Sequence, residues 1–202
     1  MFTPPLWLPA ACIALVLLAS LVRGLMLRRS GVRAYGFGHK DHVQAVAERF
    51  WKLAVALLAG AVLIAWLAPA WEPALGRPAW SAWPVLRWLA AGIFVVSVVL
   101  ILSAQATMGA SWRVGVPARG PGALVTGGLF ALSRNPVFVG MFGLVLGMVV
   151  WSPTMLSAAL LPLAASTMAI QTRIEEDALL EKHGAAYTEY QTRTPRWIWP
   201  IG

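Results

Sequence analysis

An all-α integral membrane bundle of about five transmembrane helices is the fold this sequence predicts, and three observations predict it. Of 202 residues, 59% are hydrophobic and only 12% charged, with a mean hydropathy of +0.70, which does not describe a water-facing surface. Long apolar runs recur, several close to the roughly 20 helical residues that cross the hydrocarbon layer. Tryptophans gather near the ends of those runs, where an amphipathic ring prefers the interface.

The first run, Leu6 to Leu27, is a retained span. No basic stretch precedes Trp7, and no small-x-small site closes the run, so it does not read as a cleaved leader. Leu53 to Ala68 and Leu89 to Met108 predict the second and third spans. Val137 to Trp151 and Met155 to Ile170 are shorter, and only Ser152, Pro153 and Thr154 separate them. They predict a tight helical hairpin over 136–171, with Gly140, Gly143 and Gly147 allowing close backbone approach. Trp7, Trp51, Trp66, Trp71, Trp80, Trp83, Trp88 and Trp151 are expected as interfacial anchors.

Charge sets the orientation. Arg28, Arg29, Arg33, Lys40, Arg49 and Lys52 fill the basic loop 28–52, whereas Arg77 stands alone in the next loop. Basic loops stay inside. In a bacterial inner membrane the N-terminus is then outside and the C-terminus cytoplasmic. The segment 109–136 and the tail therefore share one side and can meet. The chain divides into three N-terminal spans, 1–104, and a second part, 105–202, made of a loop, the hairpin 136–171 and the tail 172–202. The net charge of +8 reads as the fringe of a membrane protein, not as a nucleic-acid footprint.

Other chemistries lack their parts. Cys12 is the one cysteine, so there is no disulfide framework. His39 and His42 are three apart, but nothing completes a metal set. Neither G-x-x-x-x-G-K-[ST] nor a strand-borne G-x-G-x-x-G occurs. No span carries a charge at its middle, which disfavours transport, and Arg23 and Arg87 stand near run ends from which they can snorkel.

Polar residues become dense only in the second half. Five of the eight acidic residues, Glu175, Glu176, Asp177, Glu181 and Glu189, fall beyond the last span. This local reversal of sign suits a cationic ligand, or an ordinary solvated helix with Arg173 and Asp177 paired at i, i+4 and ending at Gly184. Ser133-Arg134-Asn135-Pro136 reads as a helix start, Asn135 as cap and Pro136 at the first position, with free N–H groups beside Arg134 to receive an anion. The stretch Gly120-Pro121-Gly122 to Gly127-Gly128 is a linker or a ligand-wrapping loop. Tyr187 and Tyr190, three apart and followed by Arg193, Pro195 and Arg196, read as an interfacial helix.

In this order, these pieces resemble the isoprenylcysteine carboxyl methyltransferase family and its bacterial and phospholipid-methyltransferase-like relatives. Thr126 to Gly140 looks like G-x-Y-x-x-x-R-H-P-x-Y-x-G. Arg173 to Leu180, continuing through Gly184, Tyr187, Tyr190, Arg193 and Pro195, looks like R-x-E-E-x-x-L followed by F-G-x-x-Y-x-x-Y-x-x-R-x-P. Gln105 to Arg113, with Met108, Gly109 and Trp112, resembles the segment that precedes them. Asn135 stands where the family commonly has His, and Phe130 and Phe138 where it has Tyr.

The resemblance implies an integral membrane methyltransferase with S-adenosylmethionine as cofactor and S-adenosylhomocysteine as product. It assigns Arg134, Arg193 and Glu176 to the reacting centre. Gly127, Gly128, Leu129, Asn135, Pro136, Val139, Gly140, Glu175, Glu176, Tyr187 and Tyr190 then hold the cofactor. That cofactor carries cationic and anionic groups, and the acidic tail and the helix start at Asn135 supply the complements. A lipophilic small-molecule or lipidated acceptor, carboxylate, thiol, amine or lipid, enters from the bilayer. A carboxylate needs no base, whereas a thiol or amine must lose a proton, to Glu175, Glu176 or Tyr190. The competing account is a noncatalytic membrane protein that keeps the fold and binds a lipid or partner. No metal is expected, and the oligomeric state stays open.

Overall fold

The computed structural model describes residues 3–32, 34, 42–115 and 120–198. Six α-helices are described: α1 Leu8–Arg29, α2 His42–Leu67, α3 Pro84–Met108, α4 Pro136–Trp151, α5 Met155–His183 and α6 Ala185–Arg193. No strand occurs among the described residues, and α1, α2, α3 and α5 are each long and apolar enough to cross a membrane. The protein is an integral membrane helical bundle. Helix α4 has 16 residues, about 24 Å at a 1.5 Å rise, against the roughly 30 Å of a hydrocarbon core. Arg33, His39, Lys40 and the side chain of His42 lie outside the described residues.

The helix that carries the fifth span runs on past residue 171 to His183 and stops at Gly184, the end expected for the acidic segment. Helix α5 runs unbroken for 29 residues, because the segment beyond Ile170 is rich in helix formers and contains neither Pro nor Gly before Gly184. Gly184, at φ +50°, then turns the chain into α6. The acidic residues are thus carried on a rigid extension of a span. At its other end α5 starts with a reciprocal cap: the Ser157 N–H donates to Thr154 Oγ1 at 3.2 Å, and the Thr154 N–H to Ser157 Oγ at 2.9 Å.

The glycines of α4 serve a different neighbour from the one expected. A Cβ on Gly140 would lie 2.6 Å from Ile101 Cγ1, one on Gly143 would collide with Ser97 Oγ, and one on Gly147 would press on Ile93 and Phe94. All three face α3. The close packing is therefore between α3 and α4, and the turn at Ser152 to Thr154 leads α5 away to lie beside α2 as well. Helix α3 continues unbroken across residue 104, and one core takes Val16, Ala61, Phe94, Met148 and Leu160 from five helices.

Two tryptophans and two arginines depart from expectation. Trp7, Trp66, Trp71, Trp80, Trp83 and Trp88 are exposed, but Trp151 is fully buried with its ring edge-on to Phe94 at 6.4 Å. Trp51 turns inward onto Phe138 at 6.0 Å. Arg87 lies 4.6 Å over the Trp151 ring, and Arg23 Nη2 donates to the Gly109 carbonyl at 2.9 Å. Neither arginine snorkels; each finds an acceptor or a π-face inside. At the Trp151 end of the bundle, fully buried Glu72 pairs with Arg77 and accepts from Ser152 Oγ at 2.5 Å, which ties the loop before α3 to the α4–α5 turn.

Candidate functional site

The segment before α4 and the chain beyond α6 are joined directly. The Arg134 N–H donates to Pro195 O at 2.9 Å; Ser133 Oγ and Asn135 Nδ2 donate to Arg196 O at 3.1 and 3.2 Å. Tyr190 OH donates to Phe130 O at 2.5 Å. Asn135 stands at the N-cap position, but its side chain makes no cap bond. Its amide holds the tail instead.

An ion-pair knot fixes the same junction. Glu176, 6% exposed, accepts from Arg196 Nε at 3.2 Å on both oxygens and from Arg196 Nη2 at 2.7 Å. Arg134 Nη2 lies 3.3 Å from its other oxygen. The bond to Glu176 holds the Arg196 pKa above its ordinary value. Both carboxylate oxygens of Glu176 are thereby engaged by guanidinium groups. The expected pair of Arg173 and Asp177 is not among the ion pairs of the described residues.

Two connected cavities surround this knot. The smaller, ≈ 90 Å³, is walled by Ser111, Arg113, Pro121 to Val125, Glu175, Glu176, Leu179, Tyr187 and Tyr190. The larger, ≈ 370 Å³, runs between α1, α2, α4 and α5 past Ile13, Trp51, Leu58, Phe138, Val145 and Ala164. Met108, Arg113, Gly115, Phe130, Arg134, Asn135 and Glu175 line both. Along α5 the larger cavity extends from Glu175 to Ala164, eleven residues or about 16 Å of helix, so one site joins a charged chamber to an apolar one reaching toward mid-bundle.

The electrostatics of the two acidic neighbours differ. Gln171 Nε2 donates to Glu175 Oε1 at 3.2 Å, and among the described residues Glu175 has no ion pair. Arg134 Nε is buried with no hydrogen-bond partner. Burial pushes the Tyr190 phenol up to about 12 and the Tyr187 phenol higher still, with Glu176 adding to both. Both phenols are protonated at neutral pH. Burial lowers the Arg113 pKa. Lys182 Nζ and His183 Nε2 reach the carbonyls of Pro121 and Gly122, the latter at 3.0 Å, so the end of α5 pins the loop that roofs the chamber. Gly122 is forced by contact: a Cβ there would sit 2.7 Å from Ser111 Cα.

Of the residues expected at a site, Arg134, Asn135, Glu175, Glu176, Tyr187 and Tyr190 line the chamber, and Pro136 lines the apolar cavity. Tyr187 and Tyr190 are buried, 1% and 5% exposed, and not spread at an interface. Gly127, Gly128, Leu129, Val139 and Gly140 line neither cavity. Gly128 lies over Thr107, and Gly140 packs on α3. Arg193 is turned outward onto Glu189 at 2.9 Å, its side chain 70% exposed. Arg196, read from the sequence as part of an interfacial helix, is the arginine that joins Arg134 on Glu176. Gln171 and Arg113 were unassigned. The signal for Arg196 was Pro195, which ends the helical register and turns the next residue inward.

A family model described as phospholipid methyltransferase matches residues 85–186, from the start of α3 into α6. No curated protein and no solved structure matches the chain.

Proposed function

The chain belongs to the phospholipid methyltransferase family, and on that premise we propose that it transfers a methyl group from S-adenosylmethionine to a lipophilic acceptor at the cytoplasmic face of the membrane. The observation that carries this reading is the meeting of a charged chamber and an apolar intramembrane cavity at Arg134, Asn135 and Glu175. A water-borne donor and a lipid-borne acceptor need two such entrances to one point.

The residues present fit the donor. It brings a sulfonium and an amine, for which Glu175 offers a carboxylate with only an amide partner. It also brings a carboxylate, for which the orphaned, buried Nε of Arg134 is a free donor. When bound, the donor supplies an electrophilic methyl group. The chamber's ≈ 90 Å³ is below the roughly 300–1,000 Å³ of ordinary ligand pockets, so a wall yields on entry. The docked tail is that wall, held by the knot of Arg134, Glu176 and Arg196.

The protein's own work is positioning and exclusion of water. Arg134 is braced by Glu176 and by its backbone bond to Pro195, so its guanidinium is held at the junction. Phe130, Phe138 and Trp51 close the apolar side. Glu176 acts through the two arginines as a positioning residue. Purified protein incubated with methyl-labelled S-adenosylmethionine and a membrane lipid extract is expected to label a lipid-soluble product. No label and no saturable donor binding would favour a protein that keeps the fold only to bind a lipid or partner.

A further inference from the structure

We propose that the end of the bundle opposite the chamber binds the phosphate of a membrane phospholipid, with Arg87 as the donor and the Trp151 ring as the platform that holds its guanidinium. Met108, which lines the chamber, lies about 31 Å along α3 from Arg87 at a 1.5 Å rise. This lipid is therefore not the methyl acceptor, and the site stands apart from the methyl-transfer reading.

The charges at that end leave one cation over. Glu72 is fully buried with both oxygens engaged, Oε2 by Arg77 and Oε1 by Ser152 Oγ at 2.5 Å. Arg77 is held a second time, Nε donating to Ser81 Oγ at 2.8 Å. Arg87 has no such partners. Its Nη1 is buried without a hydrogen bond, and its guanidinium enters none of the ion pairs of the described residues. It lies instead 4.6 Å over the Trp151 ring. A ring face offsets part of the charge but takes no N–H group as a lone pair would. Trp151 Nε1, on a side chain with no exposed surface, is buried without a partner too. Two donors on touching side chains thus lack an acceptor among the described residues, where buried donors ordinarily have one.

Depth identifies the ligand. Arg87 stands in the first turn of α3, and Trp151 is the last residue of α4. Exposed Trp71, Trp80, Trp83 and Trp88 belong to the same end, where amphipathic rings sit at headgroup level. Arg87 keeps part of its surface exposed, so a lipid can reach it. An unpaired guanidinium below the headgroups is costly and draws polar groups inward. Phosphate is the oxyanion at that level, and it accepts from two guanidinium N–H groups at once. Helix α4 favours the same arrangement. Its 16 residues span about 24 Å, roughly 6 Å less than the hydrocarbon core, and a short element is accommodated by local thinning. A headgroup drawn in to Arg87 thins the layer where α4 ends.

The test uses the full chain in nanodiscs of phosphatidylglycerol or of digalactosyldiacylglycerol with the same acyl chains, the second carrying the ester groups without a phosphate. Amide exchange over residues 79–90 is read against that in the middle of α3. Wild-type exchange over 79–90 should be at least about tenfold slower in phosphatidylglycerol, the low end for one charge-assisted hydrogen bond, and Arg87→Gln should abolish the difference. Equal exchange of the wild type in the two lipids overturns the site, and a difference that survives in Arg87→Gln overturns the assignment to Arg87. Should Arg87→Gln lose protection throughout α3, Arg87→Lys decides: part of the difference retained supports the site, and none retained overturns it. Galactolipid discs with inorganic phosphate in the buffer form the third arm. No added protection is expected there, and protection equal to that in phosphatidylglycerol overturns the lipid headgroup in favour of a free anion.

Discussion

Glu176→Gln is the perturbation that separates the tail's docking from the rest of the fold. The carboxylate receives three hydrogen bonds from Arg196 and one close approach from Arg134, whose side chain is 11% exposed. Gln keeps the shape, but it removes the charge and turns an N–H₂ toward one of the guanidinium groups. Breaking one side of a buried ion pair costs about 3–5 kcal/mol. Arg196, at 31% side-chain exposure, recovers part of that in water, so the lower figure, about 3 kcal/mol, applies. At 1.36 kcal/mol per decade, that is about a 150-fold rise in the population of undocked tail. The Arg134 N–H reports on it directly, because its one bond to Pro195 O exists only while the tail is docked. Amide exchange at Arg134 in the variant should accelerate by about two decades, while amides in the middle of α3 hold their protection. Acceleration of less than tenfold would show that backbone bonds and the Tyr190 phenol hold the tail without the knot, and the reasoning about Glu176 would fail.

Four further outcomes follow from the same geometry. Arg196→Ala should lower methyl transfer at least about tenfold, one lost charge-assisted contact, whereas Arg193→Ala should change it less than twofold; label counting on purified variants decides between them. Gly140→Ala forces a Cβ onto Ile101 and the Ser97 carbonyl and should cost about 1–3 kcal/mol in equilibrium unfolding; Gly60→Ala on α2, where a Cβ meets nothing, should be neutral or stabilising by up to about 1 kcal/mol. Glu72→Ala leaves Arg77 unpaired beside Ser81 and should destabilise by about 3 kcal/mol, read as a lower midpoint in a thermal scan. Trp51→Ala removes a ring from the apolar cavity and should raise the half-saturating concentration of a long-chain acceptor more than that of a short-chain one.

What was legible from the residues follows from which physical rules are one-dimensional. Hydrocarbon thickness sets the length of an apolar run, so each span could be found and α4 was rightly short, although α2 begins at His42 and α5 runs on to His183, beyond their apolar runs. The excess of Arg and Lys over residues 28–52 put the segment before α4 and the tail on one side of the bundle, and they meet through Arg134, Pro195 and Arg196. Contact across helices was not legible. The glycines of α4 carry no mark of whether they face α3 or α5, because a small residue permits approach to any neighbour. Trp151 and Arg87 read as an anchor and a snorkel until tertiary structure stacks one on the other.

The two glutamates show the same limit at the site, and there it decides the chemistry. Adjacent residues on a helix point about 100° apart, so Glu175 and Glu176, though both line the chamber, meet different partners, and a motif that names both cannot say which is paired. The answer depends on the side from which Arg134 and Arg196 approach α5, which is fixed by the tail folding back at Gly184 and Pro195. Because the arginines take Glu176, Glu175 is left facing the cavities with one oxygen unclaimed. An adjacent pair of like acids thus divides into one carboxylate held by two arginines and one that takes only the Gln171 amide. Exchanging the two roles would require moving the tail to the other face of α5, not merely altering either side chain.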